Sequence, residues 1–299
     1  MKLAFLILAH QHPKQLERLL TRLNHPNAKV FLHLDLKCKL NDYSFLKKME
    51  HVELVPQRDY VNWGGHNMVL ATLKLIEHAK LNSDFDYFTL MSGSCYPLKS
   101  ISTIIEILSQ KDYEYISTLK MPTKNMPLSR LRTFRIEKIF HPNNVVLDLL
   151  QFAVLKALNK VIRLISYLIP RNYLKGINYL QPFGGSQWWT LSNDSISYIL
   201  DFLSKNPSYT KAFFNTVVPD EMFFHTIVMN SKFSDKVNCS LTYADWSKKS
   251  NSPALIKPEQ IEKLIEDPHF CFARKFSTSN IGALEKIDKH LMRSDEDTK

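Results

Sequence analysis

Four places in this 299-residue sequence put reactive side chains where they could act on a ligand. The first is Pro219-Asp220-Glu221. Proline suits a first helical turn, so both carboxylates would stand near a helix N-terminus. A glutamate there can be a general base or can merely complement the helix dipole, and the residue types alone leave both open. The second is the cation pair Arg274-Lys275, which can neutralise an anionic ligand or sit on a solvated surface. The third is Asp35, which ends the apolar run 29–34. In nucleotide-binding α/β folds an acid at the end of that strand often holds a ribose hydroxyl. The fourth is Trp188-Trp189. Neighbours on a strand face opposite sides, so one indole is expected in the core and the other is free to offer a flat apolar face to a ligand.

The elements that must position these residues alternate along the first half. Residues 3–9, 29–34, 51–55, 87–91 and 114–117 read as strands. Between them, Pro13 opens a helix with Leu16, Leu19, Leu20 and Leu23 on one face, and 67–79 reads as a helix. Ser102 or Thr103 caps another, with Glu106 completing a capping box. This alternation predicts an α/β fold with a single, doubly wound, mostly parallel sheet flanked by helices. Ligands then sit at the carboxyl ends of the strands, where His10, Asp35, Ser92 and Gly93 fall.

The middle, 120–179, breaks the pattern. Arg130, Arg132, Arg135 and Lys138 form a basic stretch, and a helix over 145–168 is closed by Pro170. Its polar residues, Asp148 to Ser166, occupy half the circumference, and the rest is Leu, Val, Ile and Phe. Such a helix either lies on an anionic membrane or packs on the core with its charges in water. Beyond it, 187–191 reads as a strand, 195–203 and 220–229 as helices, and Pro258 opens a late helix. The expected organisation is one domain over 1–293: a nucleotide-binding half (1–119), a helical basic insertion (120–179) and an acceptor and catalytic half (180–293). A loose polar tail, 294–299, follows.

Composition narrows the classes. The net charge of +10 points to a polyanionic partner or to a lysine-rich surface. Nucleic-acid binding would call for aromatics interleaved with basic residues or a reader motif, and neither occurs, so no nucleic acid is expected. Cysteines 38, 95, 239 and 271 form no CxxC motif or close pair, which fits a reducing cytoplasm. The apolar start lacks a cleavage site and reads as a buried strand, and no run of about 18 apolar residues could span a bilayer. Glycine numbers only seven, and five cluster at 64–65, 93 and 184–185, marking sharp turns or close approaches. Trp63 and Trp246 read as packing residues.

Seven motifs in order carry a resemblance. They are Leu8-Ala9-His10; Leu32-His33-Leu34-Asp35; Tyr60-Val61-Asn62-Trp63-Gly64-Gly65; 86–98 around Ser92-Gly93-Ser94; Gly185-Ser186-Gln187-Trp188-Trp189; Pro219-Asp220-Glu221; and Phe272-Ala273-Arg274-Lys275-Phe276. Together, from about residue 3 to 276, they resemble the core-2/I-branching β-1,6-N-acetylglucosaminyltransferase and peptide O-xylosyltransferase family.

That resemblance implies a GT-A-like fold and inverting transfer from a UDP-sugar, most simply UDP-N-acetylglucosamine, to a glycan or lipid-linked glycan. Xylosyl or another hexosyl transfer, and a non-catalytic UDP- or glycan-binding protein, are the alternatives. It assigns Glu221 as base, with Asp220 beside it, and Lys275 as the cation that receives the diphosphate, with Arg274 its neighbour. Asp35, Tyr60 and the loop around His10 are assigned to the nucleotide, and the tryptophan pair to the acceptor. No cofactor or metal is expected. Asp84-Phe85-Asp86 precedes its strand and Asp295-Glu296-Asp297 lies in the tail, whereas a metal-holding Asp-x-Asp should follow a strand. The family's upstream arginine has no clear counterpart; Lys248 or Lys249 could substitute. Cys95 stands where the family usually has Asp. The enzyme is expected in the cytoplasm, at the inner face of the membrane if the basic helix docks there.

Overall fold

A computed structural model describes residues 1–137, 145–248, 250, 252–278 and 281–296, so Lys138 and Lys249 lie outside the described residues. Its centre is strand β1, Leu3–Ala9, buried along its whole length. Alternate residues serve opposite cores: Leu3, Phe5 and Ile7 join one apolar cluster, and Ala4, Leu6 and Leu8 the other. A strand covered on both faces must be apolar at every position, hence the unbroken run. Each larger side chain contributes roughly 1.5–3 kcal/mol on leaving water.

The remaining strands are β2 (Ala28–Leu34), β3 (Val52–Leu54), β4 (Tyr87–Ser92), β5 (Cys95–Pro97), β6 (Glu114–Tyr115), β7 (Thr118–Lys120), β8 (Phe183–Gly185), β9 (Thr190–Ser192), β10 (Val237–Asn238), β11 (Thr242–Ala244) and β12 (Phe272–Arg274). Seven build the central sheet, in the order β10-β6-β9-β4-β1-β2-β3. Its β9 runs antiparallel to both neighbours, and the other pairs are parallel. The fold is therefore α/β, with a mostly parallel central sheet. It is not a single sheet, however: β11-β12-β5 and β7-β8 form two small ones, and both carry site residues.

Several boundaries differ from the sequence reading. The expected strand over 114–117 is shortened to β6, which pairs with β9 and β10, and the chain turns at 116–117 into β7, which pairs with β8. The helix Ile101–Gln110 is capped by Ser100, whose Oγ accepts from the Thr103 N–H at 3.2 Å, ahead of the expected Ser102 or Thr103. The expected helix over 220–229 divides at Met222 into a 3-10 turn, Pro219–Glu221, and a helix, Phe223–Met229. The last helix, Ile281–Glu296, runs past residue 294, where a loose tail was expected to begin. Trp63 and Trp246 are exposed, at 62% and 56%, so neither packs in the core.

The long helix Val145–Leu168 has the expected bounds. Its apolar stripe is not packed on the core: Val154, Val161 and Leu164 are all exposed. Among the described residues no helix is long and apolar enough to cross a membrane.

Candidate active site

Glu221 is set by a tightly built turn. Val218, just before it, has φ +53°, a left-handed conformation that costs a β-branched residue roughly 1–3 kcal/mol. The surroundings hold it there. The Val218 N–H donates to the Gly64 carbonyl at 3.1 Å, and Gly64 itself has φ +61°. A Cβ on Gly64 would meet Val218 Cγ2 at 3.1 Å, and one on Gly184 would meet the Glu221 carbonyl at 3.1 Å. Two of the glycine clusters thus exist so that two backbone segments can approach this turn.

The basic stretch of the insertion clamps the same loop. Arg135 donates to the carbonyls of Gly64 (3.0 Å) and Trp63 (3.3 Å), and its own N–H donates to the Asn215 carbonyl. Arg171 donates to Thr216 Oγ1 at 2.8 Å and to the Ala212 carbonyl. Arg130 Nη1 reaches Glu221 Oε2 at 2.5 Å, with both side chains partly exposed. A single charge-assisted contact of this kind orients a carboxylate without burying it.

Asp220 points the other way. It is buried, and its Oδ1 has no hydrogen-bond partner among the described residues. Burial, reinforced by the neighbouring Glu221 charge, pushes its pKa up to about 7, against the pull of Arg130 and Arg135. Asp220, expected beside the base as an acceptor contact, is thus a buried carboxyl.

Arg274 ends β12, directly opposite Cys95 of β5. Its guanidinium lies 4.5 Å from the centre of the Trp188 ring, a cation–π contact. Burial lowers its pKa, while the Cys95 thiol and the Glu221 carboxylate pull the other way. Its Nε has no protein partner among the described residues. A half-buried guanidinium with an unpaired N–H, beside a thiol rather than a carboxylate, can take an anionic partner. Lys275 follows; its Nζ lies 3.5 Å from Ser252 Oγ, and its charge is one of those acting on His10.

His10 stands at the carboxyl end of β1, exposed at the cleft edge, next to the loop that closes β2. Partial burial lowers its pKa, Lys37 and Lys275 lower it further, and Asp35 opposes them. Asp35 is only 2% exposed. Its carboxylate accepts from the Lys37 N–H (2.9 Å) and the Val61 N–H (3.2 Å) and pairs with Lys37 Nζ at 3.1 Å. It organises the loop around Tyr60 rather than projecting from it. Lys37 Nζ also sits 4.8 Å from the Tyr60 ring centre, on a half-buried tyrosine.

The tryptophan expectation needs correcting. Trp189 is core, 1% exposed and packed on Phe224 at 5.4 Å. Trp188 is also buried and serves as the floor under Arg274, so neither indole lies open to an acceptor. Sequence reasoning missed Arg130 and Lys37 as site residues. Arg130 was visible only as part of a basic run. Lys37 carried one signal, its place two residues after Asp35.

Asp86 lies at the foot of β4, where its Oδ2 accepts from the Lys2 N–H at 2.5 Å. A shallow depression lined by Lys2, His25, Lys29 and His51 opens at that same end of the sheet and contains none of the residues above. Lys248 is exposed beside Asp245. Elsewhere, the Lys275 charge acts on His10, Lys275 adjoins Arg274 in sequence, and the Glu221 charge acts on Arg274.

A half-buried carboxylate, Glu221, and the half-buried cations Arg130, Arg274 and Lys275 accompany an α/β fold with a mostly parallel central sheet. The Core-2/I-Branching enzyme family model matches residues 3–265, and the chain belongs to that family. It is 23% identical over 322 residues to xylosyltransferase 2 of Rattus norvegicus, covering 98% of this chain and 34% of that protein. Against xylosyltransferase 2 of Homo sapiens the identity is 24% over 324 residues, with 98% and 34% covered. The chain thus spans about a third of the length of these relatives. Among solved structures, mouse xyloside xylosyltransferase 1 in its apo form aligns at a TM-score of 0.40 and 8% identity, over 94% of this chain and 99% of that one.

Proposed function

We propose that this glycosyltransferase moves a sugar from a UDP-sugar to an acceptor hydroxyl with inversion and without a metal, using Glu221 as base. Glu221 takes the proton from the acceptor hydroxyl as that oxygen attacks the anomeric carbon. The bond from the anomeric carbon to the diphosphate oxygen breaks on the opposite face, and UDP leaves. Arg274 and Lys275 receive the charge that develops on the diphosphate. Asp35, Lys37, Tyr60 and His10 shape the nucleotide end, and Arg130 orients the Glu221 carboxylate.

The observation that most supports this reading is the Glu221 carboxylate held by Arg130 at 2.5 Å, in a chain whose Arg274, 4.5 Å from the Trp188 ring centre, leads directly into Lys275. In this reading one sugar faces the base on one side and the cations on the other.

The donor is N-acetylglucosamine in the first reading. The matched relatives are named xylosyltransferases, which makes xylose the second. A UDP-release screen over UDP-N-acetylglucosamine, UDP-xylose and UDP-glucose, with glycan acceptors and with EDTA, decides between them. Release with one donor that persists in EDTA supports the proposal, and strict manganese dependence refutes its metal-free part.

A further inference from the structure

Among the described side chains of the helix Val145–Leu168, one of three faces touches the rest of the protein. Gln151, Leu155, Asn159, Ile162 and Ser166 recur at helical spacing and are the partly or fully buried positions. They bind the segment that leads away from Arg130. Asn159 Oδ1 accepts from the Ile136 N–H at 2.8 Å, and its Nδ2 donates to the Ile136 carbonyl at 2.9 Å. Ser166 Oγ accepts from the Phe134 N–H at 3.4 Å. The helix therefore docks on its own protein through a largely polar seam.

The apolar stripe points away from that seam. Leu150, Val154, Leu158, Val161, Leu164 and Ile165 are 40–63% exposed and fall within about a third of the helix circumference. Leu168, the last residue of the helix, and Ile169 just beyond it are 79% and 74% exposed. The third face carries Lys156, Lys160 and Arg163, all exposed. From residue 149 to 193 the sequence holds five Lys or Arg and no Asp or Glu.

We propose that this helix is a membrane-docking surface whose occupant is an anionic lipid bilayer. Apolar side chains in the hydrocarbon boundary with lysine and arginine heads beside them match an interfacial helix, which inserts in the plane of the surface. Charge complementarity singles out this occupant. A second copy seated on the same face would bring two basic faces, Lys156, Lys160 and Arg163 of each copy, together, whereas phosphate-bearing headgroups neutralise them. The helix is also bonded to the segment carrying Arg130, so the docked face and the Glu221 turn lie on one unit of structure. Resting on the transferase reading, the acceptor is then a glycan on a lipid carrier, presented at the surface where the helix lies.

The test uses the full chain and vesicles of phosphatidylcholine alone or mixed equally with phosphatidylglycerol, read by co-flotation. The wild type is expected to bind the mixed vesicles and to bind phosphatidylcholine weakly. Lys156→Gln/Lys160→Gln/Arg163→Gln should lower binding to the mixed vesicles by about a hundredfold. Leu158→Glu/Leu164→Glu should lower it by more than about tenfold while keeping UDP affinity, which shows that the variant folds. Equal binding by wild type and both variants overturns the proposal. So does a light-scattering shift from dimer to monomer in the Leu158→Glu/Leu164→Glu protein when the wild type floats with neither vesicle, because the occupant is then a second copy. Flotation without UDP release from any donor would leave the docking surface standing and sink the transferase reading instead.

Discussion

Arg130 Nη1 lies 2.5 Å from Glu221 Oε2, so the carboxylate assigned as base is already held by a cation from the basic insertion. A pair of this kind contributes about 1.5–3 kcal/mol when intact. Replacing Arg130 with alanine should lower kcat roughly tenfold to a hundredfold. KM for the donor should change little, because Arg130 is paired with Glu221. Arg130→Lys should recover much of kcat, since one donor suffices for the single contact. Steady-state kinetics check this, and a loss confined to donor KM would contradict the orienting role.

Asp220 should mark the pH dependence of stability. Its folded pKa is raised from the ordinary 3.8 to about 7. Between those values the folded state binds more protons than the unfolded state, so stability falls as pH rises through this window and levels off above it. Asp220→Asn should remove that fall. Urea midpoints measured across the window test it, and an unchanged slope in the variant would mean that the carboxyl is not buried as described.

Lys275 should be detectable through His10 without any turnover. Lys275 is one of the charges that lower the His10 pKa. Lys275→Ala should therefore raise the His10 pKa, read by NMR titration, and should weaken both UDP binding and kcat by at least about tenfold. An unmoved His10 titration would put the lysine outside the nucleotide end of the cleft.

Much of the frame was legible because it rests on periodicity. The apolar run of β1 is continuous since both faces are covered, and Leu16, Leu19, Leu20 and Leu23 are all fully buried as their spacing requires. The glycine clusters at 64–65 and 184–185 foretold close approach, though not that both approach the Glu221 turn. Other features depend on contacts across the chain. Alternation on a strand cannot tell that Trp188 lies under Arg274 while Trp189 lies against Phe224, since both indoles are buried. Nor can adjacency tell that Asp220 turns inward while Glu221 meets Arg130. The polar half of helix Val145–Leu168 was readable from its sequence, but its division into a docking seam and a basic face required the partners of Asn159 and Ser166.

The most direct test compares wild type with Glu221→Gln in two readouts, UDP affinity by calorimetry and transfer to a glycan acceptor from the donor found active in the UDP-release screen. Glutamine keeps the shape of the side chain and loses the proton acceptor. The account predicts unchanged UDP affinity and transfer reduced by about a thousandfold or more. Transfer near the wild-type rate in Glu221→Gln would contradict it, because some other group would then be taking the proton.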